Sequence, residues 1–175
     1  MDTEQKKTLQ ALQVAIQMEI DGKVFYLKAS RESSNEMGRK LLVSLAGEED
    51  VHRQQFEAIY QALRDKKGWP DTQFKPDGGK ALRAIFATAI EASLTVRAQA
   101  NELDAVRTAM DMENRTYDYY QAQRETAIYA GERDFYQALM AQEREHYLVL
   151  LDYYEYLKDP AGWFVQRERP SLDGG

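Results

Sequence analysis

The chain has 175 residues, 43% hydrophobic and 30% charged, with 10 Gly and 4 Pro. That suits one domain with a sizeable core and disfavours both a disordered chain and a turn-rich β protein. The absence of cysteine excludes disulfides, zinc–thiolate sites, iron–sulfur clusters and a rubredoxin-type centre within these residues, so any metal must be held by oxygen and nitrogen. A net charge of −6 argues against nucleic acid as a partner, and a polar start running into an amphipathic stretch predicts a cytoplasmic chain with no membrane partner.

Four long helices are predicted. Residues 4–33 lack proline and carry Leu9, Leu12, Ile16, Tyr26 and Ala29 at three-or-four spacing, one face of a helix. Ser33, Ser34 and Asn35 make a turn, with Asn35 suited to cap a second helix over 36–66. Its seam is Leu42, Leu45, Glu49, His52, Phe56, Ile59 and Leu63. Residues 67–100 form a crossover, rich in Gly and Pro at first, with a short helix over Ala81–Ser93. A third helix spans 101–129, with the seam Leu103, Val106, Met110, Glu113, Tyr117 and Tyr120 and a stop at Tyr129-Ala130-Gly131. The fourth, 132–157, presents Phe135, Leu139, Glu143, His146, Leu150, Tyr153 and Leu157. The expected fold is therefore all-α, a four-helix bundle over residues 1–158 followed by an irregular C-terminal tail, 159–175.

The apolar seams are interrupted by charge at mid-height, where a buried carboxylate is costly unless it is paired or bound to a cation. Glu19, Glu49 and His52 recur as Glu113, Glu143 and His146 with a constant displacement of 94 residues, so the chain reads as a duplicated helical hairpin. In an antiparallel hairpin two residues are level when their mean position falls at the turn. The mean of 19 and 49 falls in Ser33–Asn35, and the mean of 113 and 143 falls beside Tyr129. Residues three apart share a helix face, so each Glu-x-x-His offers an oxygen and a nitrogen together. The chain has only two histidines, and both occur in this pattern. Four Glu and two His, one Glu from each of two helices and a Glu-x-x-His from each of the others, form the ligand inventory of a di-metal carboxylate site. Two iron ions suit these donors best, with manganese as the alternative. Tyr26 and Tyr120, two turns beyond Glu19 and Glu113, and Tyr117, one turn beyond Glu113, are candidate hydrogen-bond donors to the ligands. Glu48, Asp50 and Glu145 adjoin the ligands but belong to other helix faces by angle, and are expected either in solvent or in contact with the ligands.

These residues resemble the rubrerythrin branch of the ferritin-like superfamily. The resemblance covers about residues 5–157. It rests on Met18-Glu19 through Gly22 to Phe25-Tyr26, on Ala46-Gly47-Glu48-Glu49-Asp50-Val51-His52, on Met112-Glu113 through Tyr120, and on Glu143-Arg144-Glu145-His146. It implies a ferritin-like bundle and non-haem di-iron chemistry: reduction of hydrogen peroxide, reaction with O2, or oxidation of Fe2+. Two departures stand out. Without cysteine there is no rubredoxin domain here, so a separate donor such as a rubredoxin or a reductase would supply electrons. Thr116 also stands where the family carries a further carboxylate three residues after the third-helix Glu. The expected function is a peroxide- or O2-reducing di-iron oxidoreductase. The alternatives are a ferroxidase, a dimanganese catalase and a metal-free helical interaction module. Trp163 and Phe164 are expected to press onto the bundle or onto a partner subunit, and with a tyrosine-rich fourth helix they predict apolar surface for a homodimer.

Overall fold

The computed structural model describes residues 3–72, 74, 76–90 and 100–168. Among them the regular elements are α1 (Thr3–Glu32), α2 (Glu36–Arg64), α3 (Lys80–Ile90), α4 (Ala100–Thr126), α5 (Ala130–Lys158) and α6 (Pro160–Glu168), with no strand. None of these helices is long and apolar enough to cross a membrane.

Local chemistry sets the helix ends. Asn35 caps α2, its side-chain oxygen accepting from Gly38 N at 2.8 Å, which satisfies one of the free amides of a first turn. Lys66, Gly68, Gly78 and Gly79 take positive φ, so the chain leaves α2 and turns toward α3 through left-handed residues. Asp77 then accepts from the amides of Lys80 and Ala81 at 3.2 and 3.0 Å. Glu132 reaches back to the amides of Ile128 and Tyr129 at 3.1 and 3.3 Å, starting α5.

Two expectations are corrected here. Gly131 does not end the third long helix, which stops at Thr126; it lies in the first turn of α5. A β-carbon there would come within 2.8 Å of Trp69 Cδ1, so the glycine makes room for that indole. Nor is the described part of the tail irregular, since Pro160–Glu168 form α6. Pro160 opens α6, where a fixed φ suits the first helical turn, and Asp159 accepts from Gly162 N at 3.0 Å. Trp163 is buried against Phe86 and Tyr156, with ring centroids 5.0 and 5.7 Å away. Residues 91–93 of the expected crossover helix, residues 169–175 of the tail and the side chain of Phe164 lie outside the described set.

α1 packs chiefly on α2 and α4 on α5, giving two antiparallel hairpins whose turns lie at opposite ends of the bundle. The core falls into two apolar halves. One contains Leu41, Leu45, Val106, Leu150 and Tyr153, joined by Leu82 and Phe86 of the crossover. The other contains Leu12, Phe56, Ile59, Tyr120, Phe135 and Leu139. Every long helix passes from one half to the other, and each carries its charged seam residues at the passage. Such a bundle with one long crossover is ferritin-like. On α4 the buried stripe is Val106, Ala109, Glu113 and Tyr120, while Leu103, Met110 and Tyr117 are only partly covered. Ala109, fully buried, lets the helices approach more closely than Met110 would. The tyrosine-rich surface expected on the fourth helix is only partly there: Tyr136, Tyr153 and Tyr156 point into the core, while Tyr147 and Tyr154 are half-buried.

The base of α4 is tied to the first hairpin by a carboxylate. Glu102, buried, accepts from Ser33 Oγ at 2.7 Å, from Ser34 N at 3.2 Å and from Tyr153 OH at 2.8 Å. Gly38 is the side-chain-free position under Tyr153, since a β-carbon there would collide with the phenol oxygen.

Candidate metal centre

The six residues picked out by the 94-residue displacement come together between the two apolar halves. Glu19, His52 and His146 are fully buried, and Glu49, Glu113 and Glu143 nearly so. His52 turns Nδ1 toward Glu19 Oε2 at 3.2 Å, Glu143 Oε1 at 3.4 Å and Glu49 Oε2 at 3.9 Å. His146 turns Nδ1 toward Glu49 Oε1 at 3.3 Å, Glu113 Oε2 at 3.5 Å and Glu143 Oε2 at 3.7 Å. The imidazoles lie nearly parallel, 14° apart, with centroids separated by 5.7 Å. Two groups of four donors result, Glu19–Glu49–His52–Glu143 and Glu49–Glu113–Glu143–His146, each with its ligand atoms within 4.8 Å of one another. Glu49 and Glu143 belong to both.

The donor set fits metal. Glu49 Oε1, both carboxylate oxygens of Glu143 and Nδ1 of His146 are buried and make no hydrogen bond among the described residues, an expensive arrangement that a cation would relieve. The electrostatics agree. Burial, and then the repulsion of the neighbouring carboxylates, pushes Glu49 and Glu143 well above the usual carboxylate range, and burial raises Glu19 to about 7. Burial also opposes charge on Glu113 and His146, but each stabilises the other, so Glu113 is held low and His146 well above the ordinary imidazole value. His52 is lowered by burial. Burial and mutual repulsion thus favour protons on Glu49 and Glu143, and two divalent ions would meet the same need. Oxygen and imidazole donors without thiolate suit iron or manganese.

The tyrosines cross between hairpins. Tyr26 of α1 donates to Glu113 Oε1 of α4, and Tyr120 of α4 donates to Glu19 Oε1 of α1. Burial raises both phenols well above their ordinary value, so they stay protonated as donors. Tyr117 makes no such bond; it borders an opening of about 300 Å3 between α4 and α5, together with Glu113, Asn114, Asp118, Glu143, Arg144 and Tyr147. Two candidate ligands thus line a cavity that meets solvent. Arg144 sits over the Tyr147 ring, 5.0 Å from its centroid. On the matching face of the first hairpin, Lys23 binds Asp50 at 2.8 Å and Arg53 binds it at 3.0 Å. Those two basic groups hold the Asp50 carboxyl down to about 2. Gly22 leaves its backbone against Glu49, where a β-carbon would touch Oε2 at 3.4 Å.

Helical angle sets Glu48, Asp50 and Glu145 off the ligand faces but does not tell which of them meets solvent and which meets a ligand. Asp50 and Glu145 do face away, Glu145 bonding Arg83 at 2.5 Å, but Glu48 Oε2 lies 2.9 Å from His146 Nε2 and accepts from Gln142 at 2.6 Å. Burial works against its charge, yet the His146 bond holds its carboxyl below the ordinary range. The sequence carries a signal for this pair: Glu48 and Gln142 are counterparts under the 94-residue displacement, each directly before a seam glutamate.

An all-α bundle with two Glu-x-x-His helices and two further Glu helices, joined at mid-height, defines a ferritin-like protein with a carboxylate–histidine centre. The rubrerythrin family model matches residues 10–154, and the chain belongs to that family, whose members bind di-iron sites. Comparison with curated proteins and with solved structures gives no match.

Proposed function

We propose that the chain is a di-iron oxidoreductase that reduces hydrogen peroxide or O2 with electrons from a separate donor protein. The observation that carries this reading is the pair of overlapping donor groups sharing Glu49 and Glu143, within reach of solvent through the opening beside Tyr117. Glu19, Glu49, His52 and Glu143 would hold one iron, and Glu49, Glu113, Glu143 and His146 the other. Bound there, two ferrous ions would supply the two electrons that, with two protons from solvent, convert one peroxide to two waters, and the separate donor would restore those electrons.

The chain's own residues prepare the site for this. Tyr26 and Tyr120 hold the outer carboxylates by hydrogen bonds from opposite hairpins, fixing their orientation. The opening between α4 and α5 admits a small oxidant to Glu113 and Glu143, and the Lys23–Asp50–Arg53 ion pairs cover the matching face. All six donors come from one chain, so a second subunit is not needed to complete the site.

The test is metal content after anaerobic Fe2+ loading, followed by stopped-flow absorbance on adding peroxide or O2. Two irons per chain with faster oxidation by peroxide support the proposal. Faster oxidation by O2 with many irons accumulated makes the chain a ferroxidase, and less than one iron per chain refutes the metal reading.

A further inference from the structure

Most of the centre obeys the duplication: Glu19 with Glu113, Glu49 with Glu143, His52 with His146 and Tyr26 with Tyr120 are like residues 94 apart. Glu48 and Gln142 are also 94 apart, but one is a carboxylate and the other a neutral amide. They occupy the ground between the outward edges of the two imidazoles.

Both rings direct Nδ1 into the cluster and Nε2 away from it. His146 Nε2 is 2.9 Å from Glu48 Oε2, and the same oxygen accepts from Gln142 Nε2 at 2.6 Å. His52 Nε2 is buried and makes no hydrogen bond among the described residues, and Gln142 Oε1 is in the same condition. Gln142 lies near enough to act on His52 without reaching ordinary hydrogen-bond geometry. Phe74 of the crossover meets the His52 ring edge-on, with centroids 5.5 Å apart and planes at 80°. The two imidazoles are nearly parallel and offer the same nitrogen inward, so their outward partners are what distinguish them.

That difference bears directly on ligand strength. A carboxylate accepting the outer N–H fixes the proton on Nε2, leaves the Nδ1 lone pair free for metal and raises the basicity of the ring. An amide carbonyl does this weakly, and an aromatic edge does not do it at all.

We propose that Glu48 makes the two halves of the centre unequal, so that the Glu49–Glu113–Glu143–His146 group binds a divalent metal first and the Glu19–Glu49–His52–Glu143 group second. The proposal rests on the metal reading of the site. Glu48 and Gln142 are positioning residues that act through the histidines.

Because the chain holds only two histidines, 15N-histidine labelling gives two sets of ring signals, assigned with a His52→Gln variant. Zn2+ is titrated into metal-free protein. The His146 signals should move during the first equivalent and the His52 signals during the second, with affinities separated by roughly 10- to 100-fold. Glu48→Gln should bring the two steps together, and the charge-conserving double exchange Glu48→Gln with Gln142→Glu should reverse their order. Two bound Zn2+ with both rings moving in step in the unaltered protein, or an order that survives the exchange, overturn the proposal alone. Neither ring responding to Zn2+ removes the metal reading and the proposal with it.

Discussion

Replacing Glu19 with Gln tests the electrostatic strain of the centre. Glu19 is fully buried, and burial raises its carboxyl from 4.5 to about 7. A folded-state value above the unfolded one means that the protonated acid is the form the bundle favours. Its stabilising contribution is complete below pH 4.5 and is lost as the pH rises through about 7. At about 1.4 kcal/mol per pH unit the full loss is roughly 3 kcal/mol. Glu19→Gln keeps an oxygen to accept from Tyr120 but cannot ionise. Metal-free variant and parent should therefore unfold at the same urea concentration near pH 4.5. At pH 8 the variant should be more stable by roughly 3 kcal/mol, a gain in Tm of about 6–12 °C at roughly 2–4 °C per kcal/mol. The assay is urea and thermal unfolding followed by circular dichroism in the presence of a chelator. Equal stabilities at pH 8 would refute the claim that Glu19 is buried as a strained acid. With Zn2+ added the ranking should invert, because the parent has the extra anionic donor.

Glu143→Ala should lower metal content below two ions per chain, measured by elemental analysis, while the metal-free bundle stays folded, since one of four mutually repelling carboxylates is gone. Tyr120→Phe should destabilise the metal-free protein by about 1–3 kcal/mol in urea melts, the cost of stranding a buried carboxylate oxygen. Asp118→Trp, at the opening between α4 and α5, should slow the peroxide-driven absorbance change at unchanged iron content. Val24→Trp, its counterpart on α1, should leave that rate alone. Gly38→Ala should cost more than about 2 kcal/mol through collision with Tyr153, read as a fall in Tm.

The bundle and its charged waist were legible because both are periodic. The three-or-four spacing of apolar side chains marks a helix face, and a constant displacement marks a repeat, so Glu19, Glu49, His52, Glu113, Glu143 and His146 stood out without coordinates. Glu48 did not, because helical angle says which way a residue leaves its own helix and not how near the next helix lies. Its carboxylate crosses from α2 to His146 on α5. Gly131 resembled a stop until Trp69, distant in sequence, was seen to need the space. Trp163 could be read as pressed onto the bundle or onto a partner subunit, and only its contacts with Phe86 and Tyr156, which belong to other elements, place it on the bundle. Local chemistry predicted the caps well, as with Asn35. Contacts between elements far apart in sequence supplied the corrections.

Glu49 and Glu143 each serve both donor groups, and each group takes one of its carboxylates from the opposite hairpin. At these two shared positions the duplicated halves have therefore lost the freedom to drift apart that gene duplication usually grants. A change at Glu19 or Glu113 strips one group and spares the other, whereas a change at Glu49 or Glu143 damages both together. Mutational tolerance across the waist should be graded accordingly, with the two shared glutamates the least replaceable. Neither half, released as a separate polypeptide, would carry a full set of four donors.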